Sequence, residues 1–417
     1  MQIFRHNKRI FGVLSLLLSL LILLAGCGSQ GTTDQSSKSD VVRIGVALSM
    51  TGALAREGDL TKKGYELWKD TVNEQGGINV AGKKMKVDTI YYDDKSDAPT
   101  AGKLVEKLIT EDHVNYIFGP YGSGITAAAS SISEKYQIPM IAPLANADSI
   151  YTRGFKYIFG VLYPVSAGFG LHIDLLNSLQ PKPSKLAIIY PDDLFPSTAA
   201  EAAKKKAESM GFQVVYYSKY PKGTQDLSAV LSQVKSSGAE ALISSGYFED
   251  NVLMVKTAKE LKLDLKYLGG MGAPLQADFV KTLGKDAEYV YGVSWWEASA
   301  GWKGSLYGSS QDYNELFKKR YGESATYYSA AATAAGTVLQ MAIEKAGTLD
   351  SAKVTDALRA LDVETFFSPI KFDQSGFNRA GSGVMTQIVN GKNTVVWPLK
   401  LRQSEPVYPA PAWDKRN

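Results

Sequence analysis

Residues 119 to 124 read Gly119-Pro120-Tyr121-Gly122-Ser123-Gly124, a serine between glycines, just after the apolar run Tyr116 to Phe118 and ahead of a helical pattern from Ile125 to Tyr136. Free backbone N–H groups at a helix start, with a hydroxyl beside them, make a receptor for a small carboxylate. A serine at that place also routinely caps its own helix. Both roles fit Ser123, and its position beyond the carboxyl end of a strand favours binding. Two other chemistries fail here. A nucleophile elbow needs glycine at position 121, where this chain has Tyr121, and a phosphate loop needs a lysine that the segment lacks.

Nothing else in the chain makes a coherent catalytic set. Beyond the N-terminal segment the only histidines are His113 and His172. Neither has a partner at metal-ligand or triad spacing, which argues against a zinc enzyme or a histidine-dependent hydrolase. Both are expected to be ordinary helix-end or surface residues. Asp93 and Asp94 resemble a paired acid site, but carboxylates between a strand and a helix usually serve as caps or solvated turn residues, and a structural role is expected. Tyr121, Phe195, Tyr247, Phe248, Trp295 and Trp296 lie at or just past the ends of expected strands, where an apolar ligand body would pack. Core packing and domain contact are the competing roles of such rings. Phe195 and Tyr247 are the stronger ligand candidates.

The elements that would position these residues alternate. Val41 to Leu48, Val87 to Tyr92, Tyr116 to Phe118, Leu186 to Tyr190, Ala241 to Ile243 and Val290 to Val293 are short and rich in β-branched or aromatic residues, as buried strands are. Between them Ala101, Leu104, Val105, Leu108 and Ile109 form one helical stripe, and Leu227, Val230, Leu231 and Val234 another. Such alternation predicts an α/β protein of two doubly wound units with mainly parallel sheets, the first from about Val41 to Phe159 and the second from near Val161. A long helical block follows Tyr307. Asn390-Gly391, between the runs Val384 to Val389 and Val395 to Trp397, predicts a hairpin. Pro406, Pro409 and Pro411 mark an extended tail.

The 417 residues are 45% apolar, enough for two buried cores. The net charge is +4, and Arg5, Lys8 and Arg9 supply three of those charges ahead of Cys27, leaving near neutrality and no footprint for nucleic acid. The same basic residues precede an apolar run from Ile10 to Leu24 that closes on small residues before Cys27, the only cysteine. This is the order of a secretory signal, residues 1–26, and the run is short for a membrane span. An uncleaved anchor helix is the alternative. Residues 28–40 hold no apolar side chain and read as a flexible linker.

Leu24-Ala25-Gly26-Cys27 resembles the lipobox of bacterial lipoproteins, which implies a lipid on Cys27 and a protein tethered to the extracytoplasmic face of the cell membrane. Downstream, the ordered set Thr51-Gly52, Gly58, Gly64, Asn73, Gly76-Gly77-Ile78, Gly82, Tyr92-Asp93-Asp94, Gly119-Pro120, Ser123, Ile138-Pro139 and Pro143 resembles the leucine/isoleucine/valine-binding protein family. These are solute-binding lipoproteins of ABC importers. The resemblance implies a type I two-lobed fold with three interlobe crossings, lobe 1 being 41–160 plus 294–372 and lobe 2 being 161–293 plus 373–417. It also implies no catalysis, no cofactor or metal, a monomer, and permease and ATPase subunits as partners. A sensor that presents its closed form to a receptor is the alternative use of this fold.

Carried over by position, the implied ligand-binding set is Tyr121, Gly122, Ser123, Leu144, Asn146, Phe195, Tyr247 and Met271. Ser123 matches the serine that takes the ligand carboxylate, and Tyr247 an aromatic from the opposite lobe. Met271 stands where amino-acid binders of the family place a glutamate against the ligand ammonium, and methionine cannot accept that charge. Unless Glu57, Glu249, Asp250 or Glu297 replaces it, a carboxylate without an α-amine, or an amide, is expected to bind better than a branched-chain amino acid. Ser96 and Gly122 stand where some members carry a cysteine pair.

Overall fold

The computed structural model describes residues 41–416, so the expected signal, Cys27 and the linker lie outside the described residues. Two mainly parallel sheets dominate. The first has the order β2-β3-β1-β4-β5-β6, with β1 Val41–Leu48, β2 Ile78–Val80, β3 Lys83–Asp93, β4 Tyr116–Phe118, β5 Met140–Ala142 and β6 Ile158–Gly160. Only β2 runs antiparallel. The second sheet combines β7 Lys185–Pro191, β8 Gln213–Tyr220, β9 Ala241–Ser244, β10 Tyr267–Gly270 and β11 Tyr291–Ser294. Two ribbons, β12 Lys303–Gly304 with β13 Gly308–Ser309 and β14 Asp362–Glu364 with β15 Pro369–Lys371, precede the hairpin β16 Val384–Val389 and β17 Lys392–Trp397. That hairpin, turning at Asn390-Gly391, extends the second sheet to β17-β16-β11-β10-β9-β7-β8.

The chain therefore passes between the sheets three times, after β6, after β11 and after β15. The expected stripes fall on helices. Ala101, Val105 and Leu108 are the buried face of Ala98–Thr110, whose start is capped by Asp97 accepting from Thr100 N at 2.9 Å. Leu231 and Val234 are buried on Ser228–Ser236. The block after Tyr307 is Ser310–Tyr321, Tyr327–Ala346 and Ser351–Arg359. Tyr327–Ala346 returns to lie on the first long helix, Ala55–Glu74, so closely that a Cβ on Gly64 would stand 2.2 Å from Ser329 O and one on Gly336 2.1 Å from the Trp68 ring. The proline-rich tail is extended along the second sheet, with Val407 N donating to Gln387 Oε1 at 2.8 Å, before a short 3-10 turn at Trp413–Lys415.

Two residues depart from expectation. His172 is fully buried, its ring held between the Tyr267 hydroxyl at 2.6 Å and Gly270 O at 3.1 Å, and burial pushes it down to about 3, so it is neutral. It braces the end of β10. Asp93, half-buried at the end of β3, accepts from Met50 N, Thr51 N and Lys95 N. Asp94, in contrast, is not solvated. It is fully buried and takes the Ser49 hydroxyl at 2.6 Å and Ser96 N at 2.8 Å. Ser96 in turn donates to Thr51 O and accepts from Leu54 N, which fixes the loop between β1 and Ala55–Glu74 without a disulfide.

Candidate functional site

In each sheet the strand order reverses once, between β1 and β4 in the first and between β7 and β9 in the second. Crevices outside the carboxyl ends of strands at such switch points are where open α/β sheets bind ligands. Tyr121, Gly122 and Ser123 follow β4, Phe195 follows β7 and Tyr247 follows β9.

Local backbone geometry presents Ser123. Gly119 passes so near β5 that a Cβ there would lie 2.9 Å from Ala142 Cα, and Gly122 has a φ of 92°, which glycine adopts without strain. Ser123 then opens the helix Ser123–Tyr136, whose hydrogen-bond ladder begins at Thr126 N donating to Gly122 O. The Ser123 side chain does not cap this helix. Its Oγ instead accepts from Ala147 N at 3.2 Å, so its own proton remains to be donated. Of the two roles open to Ser123, self-capping is absent.

These residues meet around a small cavity of about 10 Å³. Seven of the eight candidates, Tyr121, Gly122, Ser123, Leu144, Asn146, Phe195 and Tyr247, line it. Leu162, Trp295 and Tyr327 complete the wall. Phe195 stacks on Tyr247 at 6.0 Å, Tyr121 meets Tyr247 edge-on at 6.4 Å, and Trp295 packs on Tyr327 at 5.5 Å. The Tyr247 hydroxyl donates to Asp193 Oδ2 at 3.2 Å, and Lys222 Nζ holds the same oxygen at 2.7 Å. The Asn146 amide donates to Tyr163 O at 3.0 Å. Met271 is not in the wall; it is buried in the apolar core just past β10, beside Gly272, where a Cβ would press on Tyr327 Oη.

The four acids proposed to compensate for Met271 also stand outside the wall. Glu249 is exposed, Glu297 is half-buried, and Asp250 accepts from Tyr247 N at 2.9 Å. Glu57 is buried on Ala55–Glu74, and burial pushes its carboxyl up to about 7 against the opposing pull of its own N–H, Arg56 and Gln276. Burial, with the Glu57 charge as a lesser cause, also raises the hydroxyls of Tyr121, Tyr247 and Tyr327 well above the ordinary phenol range, so all three are neutral donors.

The elevated Glu57 has a consequence for stability. Between its ordinary 4.5 and about 7 the folded chain holds a proton that the unfolded chain releases, so this group's contribution falls as pH rises through that window and levels off above it. Glu57→Gln is expected to match the wild type near pH 4 and to exceed it by roughly 1–3 kcal/mol at pH 8. Urea unfolding at the two pH values measures this, and an equal difference at both would refute the burial argument.

Leu162 and Tyr327 escaped the sequence reading. Leu162 follows the three-residue strand β6, and Tyr327 opens a helix far along the chain, so neither carried a local signal.

Residues 41–393 match the sequence profile of the family described as periplasmic binding protein. The chain is 27% identical over 366 residues to a leucine-, isoleucine-, valine-, threonine- and alanine-binding protein of Pseudomonas aeruginosa, covering 85% of this chain and 91% of that one. Among solved structures it resembles the branched-chain amino acid transporter substrate-binding protein LivJ of Streptococcus pneumoniae in complex with isoleucine, with a TM-score of 0.76 and 23% identity over 86% of this chain and all of that one. A solute-binding protein of an ABC transporter from Rhodopseudomonas palustris, in complex with benzoate, has a TM-score of 0.74 at 18% identity, covering 85% of this chain and 95% of that one.

Proposed function

The chain belongs to the periplasmic binding protein family, and we propose that it is the solute-capturing lipoprotein of a bacterial ABC importer, taking a small carboxylate with an aromatic or branched apolar body. The observation that carries this reading is the chemistry of the cavity wall, which offers hydroxyl and N–H donors and aromatic faces but no charged side chain. The solute carboxylate would take the Ser123 hydroxyl and the first N–H groups of Ser123–Tyr136, while its body packs among Tyr121, Phe195 and Tyr247. With no carboxylate in the wall, a ligand ammonium would be buried unpaired, which costs several kcal/mol. Amine-free carboxylates are therefore favoured over amino acids. Both isoleucine and benzoate occur in proteins of this architecture.

In this reading 41–160 with 294–372 and 161–293 with 373–417 act as two lobes that close on the solute, and the ligand shifts them by its differential affinity for the closed state. A lipid on Cys27 and the linker 28–40 would hold the monomeric protein at the extracytoplasmic face of the membrane, within reach of the permease and ATPase. No helix among the described residues is long and apolar enough to cross a membrane.

Thermal melts of the purified protein with benzoate, 4-hydroxybenzoate, 4-methylpentanoate and leucine test the ligand class. Binding raises the midpoint by mass action. The amine-free carboxylates are expected to raise it more than leucine does at equal concentration. A large shift with leucine and none with the others would overturn the amine-free reading.

A further inference from the structure

We propose that the indole N–H of Trp295 is a second polar anchor of the cavity, donating a hydrogen bond to an oxygen of the bound solute. The inference rests on the small-carboxylate reading and adds a contact that the position-by-position comparison did not assign.

Trp295 lines the cavity, is 1% exposed, and its Nε1 has no hydrogen-bond partner in the protein. Three other buried or half-buried indoles find partners within the protein. Trp68 Nε1 donates to Gln340 Oε1 at 3.4 Å, Trp296 Nε1 to Phe366 O at 3.0 Å and Trp413 Nε1 to Leu263 O at 2.9 Å. Folded proteins satisfy nearly all buried donors, and one left open beside a ligand cavity indicates a partner that arrives with the ligand.

The ring is also fixed in place. Tyr163 and Tyr327 pack on it at 5.9 and 5.5 Å. Gly168 completes the seat, since a Cβ there would stand 2.8 Å from Cζ2 and 3.2 Å from Nε1. At its backbone, the Ser294 hydroxyl donates to Trp296 O at 2.6 Å and pins the turn that carries the indole. A donor locked in this way loses little freedom when it meets an acceptor, so the bond adds to affinity without an ordering cost. The cavity rejects solutes that cannot offer it an oxygen, because the N–H would then stay dry and unpaired.

The acceptor is either an oxygen of the carboxylate that Ser123 receives or a separate oxygen on the solute body. Titration calorimetry with benzoate, 4-hydroxybenzoate, 4-methylpentanoate and leucine distinguishes them when the wild type is compared with Trp295→Phe, which keeps an aromatic ring and removes the donor. A loss of roughly tenfold is expected. Equal loss for every probe that binds assigns the N–H to the carboxylate, and loss confined to 4-hydroxybenzoate assigns it to the body oxygen. The wild-type protein supplies a second, affinity-independent readout. In ¹H–¹⁵N spectra the indole resonance absent from Trp295→Phe should move downfield on saturation with a bound probe. Unchanged affinities together with an unmoved resonance overturn the anchor while leaving the carboxylate reading intact. If no carboxylate binds the wild type, that reading fails and the anchor falls with it.

Discussion

Ser123→Ala is expected to weaken the binding of a small carboxylate by about ten- to a hundredfold, the range for losing a hydrogen bond to a charged group. The hydroxyl accepts from Ala147 N and so has its proton directed elsewhere. Alanine removes that donor and also leaves the buried Ala147 N–H without its acceptor, which makes a modest fall in stability part of the same prediction. Glycine at this position would add backbone freedom at the helix start, so alanine is the cleaner change. Titration calorimetry reads the affinity, and a parallel thermal melt separates the two effects. Undiminished affinity in Ser123→Ala would remove the carboxylate receptor from this end of the cavity.

Trp68→Ala is expected to cost about 3–5 kcal/mol, the usual range for truncating a fully buried large aromatic. Trp68 is 0% exposed, meets Phe118 edge-on at 5.4 Å and carries the Gly336 backbone of Tyr327–Ala346 directly on its ring. Truncation opens a void between two helices that are already at closest approach, and neither can move in, because Gly64 and Ser329 are in contact one turn away. It also strips Gln340 Oε1 of its indole donor. Guanidinium unfolding followed by Tyr and Trp fluorescence measures the loss. A shift of less than about 1 kcal/mol would mean that the two helices repack, contrary to the geometry.

Much of this architecture was legible because the signals were local. β1 and β16 match their apolar runs residue for residue, and the stripes on Ala98–Thr110 and Ser228–Ser236 follow the helical period. Strands that escaped had weak signals for physical reasons. β5 and β6 are three residues long, β10 ends in two glycines, and β8 is a sheet-edge strand with mostly half-buried side chains. At the site, Ser123, Phe195 and Tyr247 could be found from their places after strands. Met271 sat in the right order but is turned into the core, since which side of a loop a residue faces is decided by packing against distant elements such as Tyr327. His172 was misjudged for the same reason, and the burial of Asp94, though not its structural role, went unforeseen, as their partners Tyr267 and Ser49 lie 95 and 45 residues away.

The helix that covers Trp68 comes from residues 327–346, and Thr333 Oγ1 donates to Gly64 O across 269 residues of sequence. The first sheet thus cannot close its apolar face with the segment that builds its strands. Until residue 346 is available, Tyr65 and Trp68 have Phe118 beneath them but no helix over their outer side, and the early portion of the chain is left incompletely packed. Assembly is then set by a late, long-range docking step, which is slow because the intervening chain must first be gathered. A chain that stays pliant until its last third arrives suits passage through a narrow pore in unfolded form. By the same logic, the segment 41–160 expressed alone would expose a sticky helix surface and aggregate.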